Sequence, residues 1–237
     1  MSEPSESVSK SVVPRHLGLI LDGNRRWARE NGVPIAEGHR QGFLNTKKLG
    51  RSLFDQGIEY VSAYVFSTEN WQRSADEVKQ LMKLFMWVAK HEAKELHKDG
   101  IRLRVIGSRL RLGKSLVKAL HEAEELTKDN TRGTLLLCLD YGGQQEVVDA
   151  IKELAANGVN PADITSELIS EHLYAPDVPP VDLIIRTSGE QRLSNFMLWR
   201  AAYSELMFTK SYWPDFSETE LRGMLTEYST RKRRFGA

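Results

Sequence analysis

Short apolar runs alternate with longer amphipathic segments along most of the chain, and this alternation predicts strands separated by helices. A run such as HLGLILD, at residues 16–22, predicts a buried strand. The predicted strands cover residues 16–22, 60–66, 102–106, 134–140 and 182–186. The predicted helices cover residues 25–31, 38–56, 76–99, 113–127, 144–156, 166–173, 195–203 and 217–228.

Strands that alternate with helices indicate right-handed βαβ units, which build a mainly parallel sheet with helices on both faces. The sequence shows no internal repeat and no interior linker, so residues 16–237 are predicted to form one α/β domain. Residues 1–15 are rich in serine, proline and glutamate and are predicted to form a loose tail. Ligands of such sheets bind beyond the carboxyl ends of the strands, which is where a site is expected.

Composition narrows the partners and the cellular setting. The 33 basic and 32 acidic side chains give a net charge of +1, so there is no global reason to expect nucleic acid. The single cysteine, Cys138, cannot form an intrachain disulfide and fits a reducing cytoplasm. No apolar stretch has the length of a membrane span, so we expect a cytoplasmic protein with at most peripheral membrane contact. The basic run at residues 231–236 could bind phosphate or an anionic membrane surface.

Three of the predicted strands end in polar clusters. Residues 22–24 (Asp-Gly-Asn) follow the first strand, residues 67–70 (Ser-Thr-Glu-Asn) follow the second, and residues 186–190 (Arg-Thr-Ser-Gly-Glu) follow the last. If the strands are parallel, these clusters lie at the same edge of the sheet. The sequence therefore predicts that they build one site.

The first cluster suits a diphosphate and a divalent metal ion. Gly23 would let the backbone turn sharply into a helix whose first N–H groups are free to bind phosphate. Asp22 could hold Mg²⁺, which bridges carboxylate and phosphate oxygens, and Arg26 could neutralise phosphate with its forked guanidinium. The alternative is a capped helix with solvated arginines, and spacing alone does not separate the two.

The other two clusters could orient substrates. Ser67 or Asn70 could orient a reacting group and Trp71 could cover an apolar substrate, although a hydrogen-bonded loop anchored by a tryptophan would have the same sequence. Residues 186–195 contain two arginines and several hydroxyls around a glycine and could form a second anion site. The alternative for that segment is a turn with an exposed charge pair.

Some single residues carry little information by themselves. Glu205 alone is typical of a surface charge, and His39 alone is typical of a hydrogen-bonded structural histidine. No spacing of histidines and cysteines suggests a zinc site.

Residues 107–115 (GSRLRLGKS) resemble a Walker A phosphate loop, which favours a competing interpretation. The segment follows a predicted strand and opens a predicted helix. The Walker pattern has four residues between its glycines, whereas this loop has five, including two arginines and two leucines where small residues are preferred. A P-loop nucleotide enzyme is therefore the alternative that local motifs favour.

Taken together and in order, the clusters resemble the cis-prenyltransferase family, whose bacterial member is undecaprenyl diphosphate synthase. The resemblance runs from about residue 16 to residue 236. The matching residues are Asp22-Gly23-Asn24 with Arg26-Trp27, Gly38-His39, residues 67–71 with Arg73, residues 140–143, residues 186–190 with Arg192, residues 194–196, Trp199 with Glu205, residues 213–216 and residues 233–236.

The resemblance implies a fold and a reaction. The expected fold is a single α/β domain with a central, mostly parallel six-stranded sheet flanked by helices and an apolar tunnel leading from the diphosphate site. The expected enzyme is an Mg²⁺-dependent homodimer that condenses isopentenyl diphosphate with an allylic diphosphate, such as farnesyl or geranyl diphosphate. The product would be a longer Z-polyprenyl diphosphate, as large as undecaprenyl diphosphate or somewhat shorter.

The resemblance also implies roles for individual residues. Asp22 is the implied central catalytic residue, with Asn70 near the proton-transfer step. The implied magnesium ligands are Asp22 and, across the dimer, Glu205, while Arg234 and Gly236 of the tail reach a diphosphate in the partner subunit. The implied substrate contacts are Gly23, Asn24, Arg25, Arg26, Trp27, His39, Ser67, Thr68, Glu69, Trp71, Arg73, Arg186, Arg192, Leu193 and Ser194. Isopentenyl diphosphate is expected at Arg186, Arg192 and Ser194. The head of the allylic starter is expected at Asp22, Gly23, Asn24, Arg26 and His39.

The chemistry of condensation agrees with these residue types. Diphosphate is a poor leaving group until its charge is neutralised, which Mg²⁺ and arginines achieve. A proton must leave the adduct, and because the neutral amide of Asn70 is a weak base, the released diphosphate is an alternative acceptor. A non-catalytic subunit of a synthase is another alternative, although Asp22 and the tail motif in one chain argue against it.

Four residues depart from the family pattern. Ile35 stands where an arginine near the starter diphosphate is common, so that one phosphate contact is in doubt. Val65 replaces a smaller alanine in the strand that faces the tunnel, Asp140 replaces an asparagine, and Leu139 is larger than usual. Because Val65 would narrow the tunnel, we expect a product shorter than undecaprenyl diphosphate.

Overall fold

The apolar runs form strands, and helices follow most of them. The computed structural model describes residues 13–231. Its strands are β1 His16–Ile20, β2 Tyr60–Ser67, β3 Ile101–Ile106, β4 Gly133–Tyr141, β5 Leu183–Arg186 and β6 Glu205–Phe208. Its helices are α1 Asn24–Glu30, α2 Ile35–Asp55, α3 Ala75–His91, α4 Ala93–Lys98, α5 Lys114–Thr127, α6 Gly143–Ala156, α7 Ser166–Glu171 and α8 Glu218–Thr230. Short 3₁₀ helices cover Thr68–Gln72, Pro161–Asp163 and Trp213–Asp215.

The strands form one six-stranded sheet in the order β3-β4-β2-β1-β5-β6, and every neighbouring pair is parallel. The predicted α/β fold with a parallel sheet and flanking helices is thus confirmed. From β1 the chain passes first to β2 on one side, and only later to β5 on the other side. The carboxyl end of β1 therefore lies where the strand order reverses, which is the usual ligand position in such sheets.

Apolar side chains cover both faces of the sheet. On one face, Leu17 and Leu19 of β1 belong to a buried cluster with side chains of α2 and α8. On the other face, Ile20 and Ile184 pack in a cluster that includes Phe196. A Cβ atom at Gly18 would lie 2.9 Å from the Phe196 ring, so glycine lets that segment approach the strand closely.

Three predicted elements differ from the observed ones. The helix predicted over residues 76–99 is interrupted at Glu92, between α3 and α4. The helix predicted over residues 195–203 is wrong: Asn195 and Met197 have positive φ angles of 65° and 44°, which a right-handed helix excludes. The edge strand β6 was not predicted, because four residues are too few to show a period.

The N-terminal and C-terminal predictions fall largely outside the structure. Most of the loose tail at residues 1–15, and the tail residues Arg234 and Gly236, lie outside residues 13–231. None of the helices in the described part of the chain is long and apolar enough to cross a membrane.

Candidate active site

A polar cavity lies at the carboxyl end of β1. Four arginines face one aspartate in it, so its charge favours an anionic ligand. The cavity is lined by Leu21, Asp22, Gly23, Asn24, Arg25, Arg26, Arg29, His39 and Arg73. All of these except Leu21 and Arg29 are residues that the sequence predicted for the site. Ile35, which stands where the family commonly has an arginine, is not among them, whereas Arg29 is a cation of the cavity that was not predicted.

The backbone turn after β1 fixes the carboxylate of Asp22. Gly23 has a φ of 106°, and a Cβ atom there would lie 2.8 Å from the ring of Tyr212, so this turn requires glycine. The Gly23 N–H donates to Asp22 Oδ1 at 2.7 Å, and Arg26 Nη2 lies 3.4 Å from the same oxygen. Arg186 Nη2 donates to Asp22 Oδ2 at 2.9 Å. The turn after β1 and the loop after β5 therefore face each other, as the sequence predicted.

Arg186 organises the loop that follows β5. Its Nη1 donates to Ser194 Oγ at 2.8 Å and to the Arg192 carbonyl at 2.5 Å, and its side chain is 5% exposed. Arg192 Nη1 binds Glu190 Oε2 at 2.6 Å, and Arg26 Nη1 binds Glu190 Oε1 at 3.0 Å. The hydrogen bond and charge of Arg192, with a contribution from Arg26, lower the pKa of Glu190. The two predicted anion sites are thus joined by one chain of ion pairs.

A buried carboxylate, Glu77, supports the opposite wall of the polar cavity. Its Oε1 lies 3.2 Å from His39 Nε2 and 3.0 Å from Arg73 Nη1, while its Oε2 lies 3.6 Å from Arg25 Nε. The Glu77 side chain is only 6% exposed. Because each contact uses one nitrogen of an arginine, the other N–H groups of Arg25 and Arg73 are left for a ligand.

Glu77 was not among the predicted site residues, although the sequence contains a signal for it. Ser74 and Glu77 have the Ser-x-x-Glu spacing of a helix capping box. One of the two hydrogen bonds of a capping box is present: the Glu77 N–H donates to Ser74 Oγ at 3.4 Å. The carboxylate reaches His39 and Arg73, a contact that no local pattern predicts.

An apolar cavity adjoins the polar one. Its floor is formed by β1, β2 and β4, including Ala63, Val65 and Leu137, and its walls by α2 and α3, including Phe43 and Phe85. Leu21, Asn24 and His39 line both cavities. A ligand with a charged head and an apolar tail could therefore occupy both cavities at once.

Side-chain hydrogen bonds within the loop after β2, and from the segment after β5, fix that loop in place. The Ser67 N–H donates to Asn70 Oδ1 at 3.2 Å, in a capping box that starts the 3₁₀ helix at Thr68–Gln72. Asn195 Nδ2 donates to Glu69 Oε1 at 3.1 Å, which joins this loop to the segment after β5. The loop thus adjoins the other two predicted clusters, although Arg73 is its only member that lines the polar cavity.

Asp140 and Arg111 hold the tryptophan of that loop. Trp71 Nε1 donates to Asp140 Oδ1 at 2.8 Å, and the Arg111 guanidinium lies 5.2 Å from the centre of the Trp71 ring. Arg111 Nε also donates to Asp140 Oδ2 at 3.1 Å. Arg111 comes from the loop that resembles Walker A, and its neighbour Arg109 pairs with Glu124 at 2.7 Å. The arginines of this loop thus bind protein carboxylates.

Replacing Arg111 by alanine is expected to destabilise the fold by about 3 kcal/mol, because it leaves a buried carboxylate without its charge partner. Asp140 is fully buried, whereas Arg111 is 45% exposed. Asp140→Asn keeps an acceptor for Trp71 and should cost only about 1 kcal/mol. Urea unfolding of both variants and of the double variant measures these free energies.

Arg109→Ala is the matched control for this prediction, since its partner Glu124 is 19% exposed and can be solvated. It should cost about 1 kcal/mol or less. Equal losses for Arg111→Ala and Arg109→Ala would show that the buried carboxylate needs no partner. In the double variant, Asp140→Asn should recover part of the stability that Arg111→Ala loses, because it removes the unpaired buried charge.

Comparison with known proteins identifies the family. The family model described as "Putative undecaprenyl diphosphate synthase" matches residues 20–236. The chain belongs to the cis-prenyltransferase family. It is therefore a prenyltransferase, as the sequence predicted, and the P-loop interpretation is not supported.

Individual relatives and a solved structure agree with this assignment. An isoprenyl transferase 2 of Bradyrhizobium diazoefficiens is 46% identical over 236 residues, which are 98% of this chain and 94% of the relative. A trans,polycis-polyprenyl diphosphate synthase of Thermobifida fusca, (2Z,6E)-farnesyl diphosphate specific, is 44% identical over 231 residues, 96% of this chain and 82% of the relative. The crystal structure of lavandulyl diphosphate synthase from Lavandula x intermedia, in complex with dimethylallyl diphosphate, superposes with a TM-score of 0.89 at 36% identity. The match covers 95% of this chain and 99% of that one.

Trp27 and Glu205 were predicted for the site of this cis-prenyltransferase, but their contacts lie away from its polar cavity. Trp27 Nε1 donates to Asp215 Oδ1 at 2.8 Å, which ties α1 to the 3₁₀ helix at Trp213–Asp215. Glu205 begins β6 and is paired in register with Leu183, whereas Arg186 lies at the other end of β5. Three residues of strand separate those ends by about 10 Å. Within one chain, Glu205 is thus remote from Asp22, and it pairs with Arg231 at 2.7 Å.

Proposed function

We propose that this enzyme condenses isopentenyl diphosphate with an allylic diphosphate, such as farnesyl or geranyl diphosphate, and releases a longer Z-polyprenyl diphosphate. The observation that carries the proposal is the junction of the two cavities. A pocket lined by four arginines and Asp22 shares Leu21, Asn24 and His39 with an apolar cavity between the sheet and α2 and α3. An allylic diphosphate has the same division into an anionic head and an apolar tail.

Mg²⁺ fits the residues at this site if substrate phosphates complete its coordination. Mg²⁺ is commonly held by one or two carboxylates together with phosphate oxygens and water. Asp22 lines the polar cavity and is 29% exposed, so a ligand there can share a metal ion with it. Residues 13–231 contain no group of three or more acidic, histidine or cysteine side chains that could hold a metal unaided. When bound, Mg²⁺ would neutralise the charge of the departing diphosphate.

The protein's own residues would hold the two substrates head to head. The starter diphosphate would bind Arg25, Arg26 and His39, and isopentenyl diphosphate would bind the loop of Arg186 and Ser194. The allylic C1–O bond breaks, the double bond of isopentenyl diphosphate attacks C1, and a proton then leaves C2 of the isopentenyl unit. The negative charge that develops on the departing diphosphate lies among fixed arginines, which stabilise it electrostatically.

The released diphosphate is the favoured acceptor for that proton. Asn70 Oδ1 already accepts the Ser67 N–H at 3.2 Å, and a neutral amide is a weak base. In this proposal Asn70 shapes the loop beside the site and leaves the proton to the more basic phosphate oxygen.

The proposal includes a homodimer. Glu205 and the tail residues Arg234 and Gly236 would act toward the partner subunit, since Glu205 is remote from Asp22 in its own chain. Apolar side chains on and near the edge strand β6 support a contact there: Leu198 is 36%, Tyr203 75% and Leu206 37% exposed. The proposal also includes a cytoplasmic location with peripheral membrane contact, which would suit the apolar product.

Product sizing tests both the reaction and the chain length. The enzyme is incubated with Mg²⁺, radiolabelled isopentenyl diphosphate and either farnesyl or geranyl diphosphate, and the products are separated by chromatography. We expect labelled polyprenyl diphosphates shorter than undecaprenyl diphosphate, because Val65 lines the floor of the apolar cavity. Val65→Ala removes two methyl groups and should lengthen the main product by at least one isoprene unit.

The control for cavity size is Val148→Ala, which makes the same change on an exposed face of α6, where the side chain is 42% exposed. It should leave the product unchanged. Undecaprenyl diphosphate as the wild-type main product would defeat the chain-length proposal. No incorporation of label with any starter would defeat the reaction itself and favour a non-catalytic subunit.

A further inference from the structure

The ring of His39 lies between a buried carboxylate and the place proposed for the starter diphosphate. Its Nε2 is 3.2 Å from Glu77 Oε1, and its side chain is 9% exposed. His39 lines both the polar and the apolar cavity. Within residues 13–231 this is the only hydrogen bond of the ring, so Nδ1 is the nitrogen that a ligand can use.

Glu77 decides which nitrogen of the neutral ring carries hydrogen. An ionised carboxylate only accepts hydrogen bonds, so the hydrogen of neutral His39 must be on Nε2. Nδ1 then presents a lone pair to the ligand. A phosphate oxygen also presents lone pairs, so the neutral ring in this tautomer repels a diphosphate, whereas an imidazolium donates to Glu77 and to phosphate at once.

Burial and the nearby arginines favour the neutral form of the His39 ring before a ligand binds. Burial lowers its pKa, and the charges of Arg73 and Arg25 lower it further, against the hydrogen bond to Glu77. The other charged residues that line the polar cavity are Asp22, Arg26 and Arg29. On its own helix, Glu37 and Arg40 pair with each other at the surface. A bound diphosphate adds several negative charges within a few ångströms of the ring. These charges favour the protonated form of His39, which is opposite to the effect of the arginines.

We propose that His39 takes up one proton from solvent when the starter diphosphate binds, and that Glu77 is the positioning residue that makes this uptake necessary. The proposal rests on the proposed function, since it requires an allylic diphosphate in the polar cavity. The proton goes to Nδ1, which then donates to a phosphate oxygen, and it returns to solvent when diphosphate leaves. Glu77 also holds Arg25 and Arg73 at the wall of the cavity, so one carboxylate orders three diphosphate contacts.

Calorimetry can count this proton directly. Farnesyl diphosphate is titrated into the full chain with Mg²⁺ and without isopentenyl diphosphate, so that no condensation occurs. The titration is repeated at about pH 7.5, one unit above the ordinary histidine pKa, in buffers of different ionisation enthalpy. The slope of measured heat against that enthalpy gives the protons taken up, and His39→Gln corrects for protons exchanged by the ligand itself.

The wild type should take up roughly half to one proton more than His39→Gln, because one imidazole is the source of the difference. Glu77→Gln should still bind, but its excess uptake should fall to near zero. The amide of glutamine can donate to Nε2, which moves the hydrogen of the neutral ring to Nδ1. That hydrogen can then face phosphate without a further proton.

The affinity for the starter should also depend on pH. The dissociation constant of the wild type should rise as pH increases from 7 to 8, by up to about tenfold, and that of Glu77→Gln should change little.

Glu124→Gln is the matched control, since Glu124 is a partly buried glutamate that pairs with Arg109 at 2.7 Å and lines neither cavity. It should keep the wild-type proton count. Equal uptake in wild type, Glu77→Gln and His39→Gln would overturn the inference, as would weaker binding by Glu77→Gln with an unchanged proton count. Failure of the wild type to bind either farnesyl or geranyl diphosphate would instead overturn the proposed function.

Discussion

Asp22→Asn is expected to lower kcat by about 100-fold to 1000-fold, because the carboxylate is the proposed partner of the charge that develops on the departing diphosphate. Asparagine keeps one of the two acceptors: its oxygen can accept the Gly23 N–H, which now lies 2.7 Å from Oδ1. The amide NH2 at the Oδ2 position cannot accept from Arg186, which now lies 2.9 Å from that oxygen. The change therefore removes the charge and one acceptor while it preserves shape. Steady-state turnover with saturating substrates, measured over a range of Mg²⁺ concentrations, shows both the loss and any weakened metal dependence.

Asp177→Asn provides the control for that loss, since it makes the same chemical change at a surface pair. Asp177 binds Arg104 at 2.6 Å and is 60% exposed. It should leave kcat within about twofold of wild type, as exposed pairs contribute little. Circular dichroism should show that Asp22→Asn remains folded. Undiminished turnover by folded Asp22→Asn would contradict the proposed role of the carboxylate.

The parts of the site that the sequence predicted are those fixed by the ends of strands. An apolar run that stops at Asp22 and another that stops at Arg186 mark two strand ends, and a parallel sheet brings such ends to one edge. Neighbouring strands β1 and β5 then place the two side chains 2.9 Å apart. The roles assigned to these residues come from the resemblance and stay predictions, while their proximity follows from topology.

The features that the sequence did not predict depend on contacts between distant segments. Glu77 looks like a capping residue in its own helix, yet it meets His39, which is 38 positions away in the sequence. Residues 195–203 have a composition that favours a helix, yet the turn at Asn195 is imposed by hydrogen bonds to Glu69 and to the Gln144 N–H. These side chains bind partners that the sheet brings together from distant parts of the chain. The local pattern of apolar and polar residues therefore cannot predict their contacts.

The same distinction explains the loop that resembles Walker A. Its local pattern suggests a phosphate ligand, whereas its tertiary contacts are to carboxylates at Asp140 and Glu124. Gly107 has a φ of 126°, and a Cβ atom there would lie 2.1 Å from the carbonyl oxygen of Leu139. This glycine therefore serves close packing of the loop against the end of β4.

Arg186→Lys is expected to reduce kcat/KM for isopentenyl diphosphate by about 100-fold, although it conserves charge. The guanidinium spans Asp22 Oδ2 at 2.9 Å and Ser194 Oγ at 2.8 Å with two different nitrogens. A lysine ammonium is a single point and cannot hold both groups in that geometry. The loop of Arg192 and Ser194 would lose its link to Asp22, so the second diphosphate would no longer be aligned with the first.

The expected effect of Arg186→Lys differs between the two substrates, which makes this prediction specific. The dissociation constant of farnesyl diphosphate should change by less than about threefold, because Arg25, Arg26 and His39 are unaltered. Arg222→Lys is the control, since its contact with Glu218 at 2.7 Å is exposed and lies on α8. If Arg186→Lys weakens farnesyl diphosphate and spares isopentenyl diphosphate, the two diphosphate sites have been assigned in the wrong order. Since Asp22 lies between them, its role as the shared partner would survive that reversal.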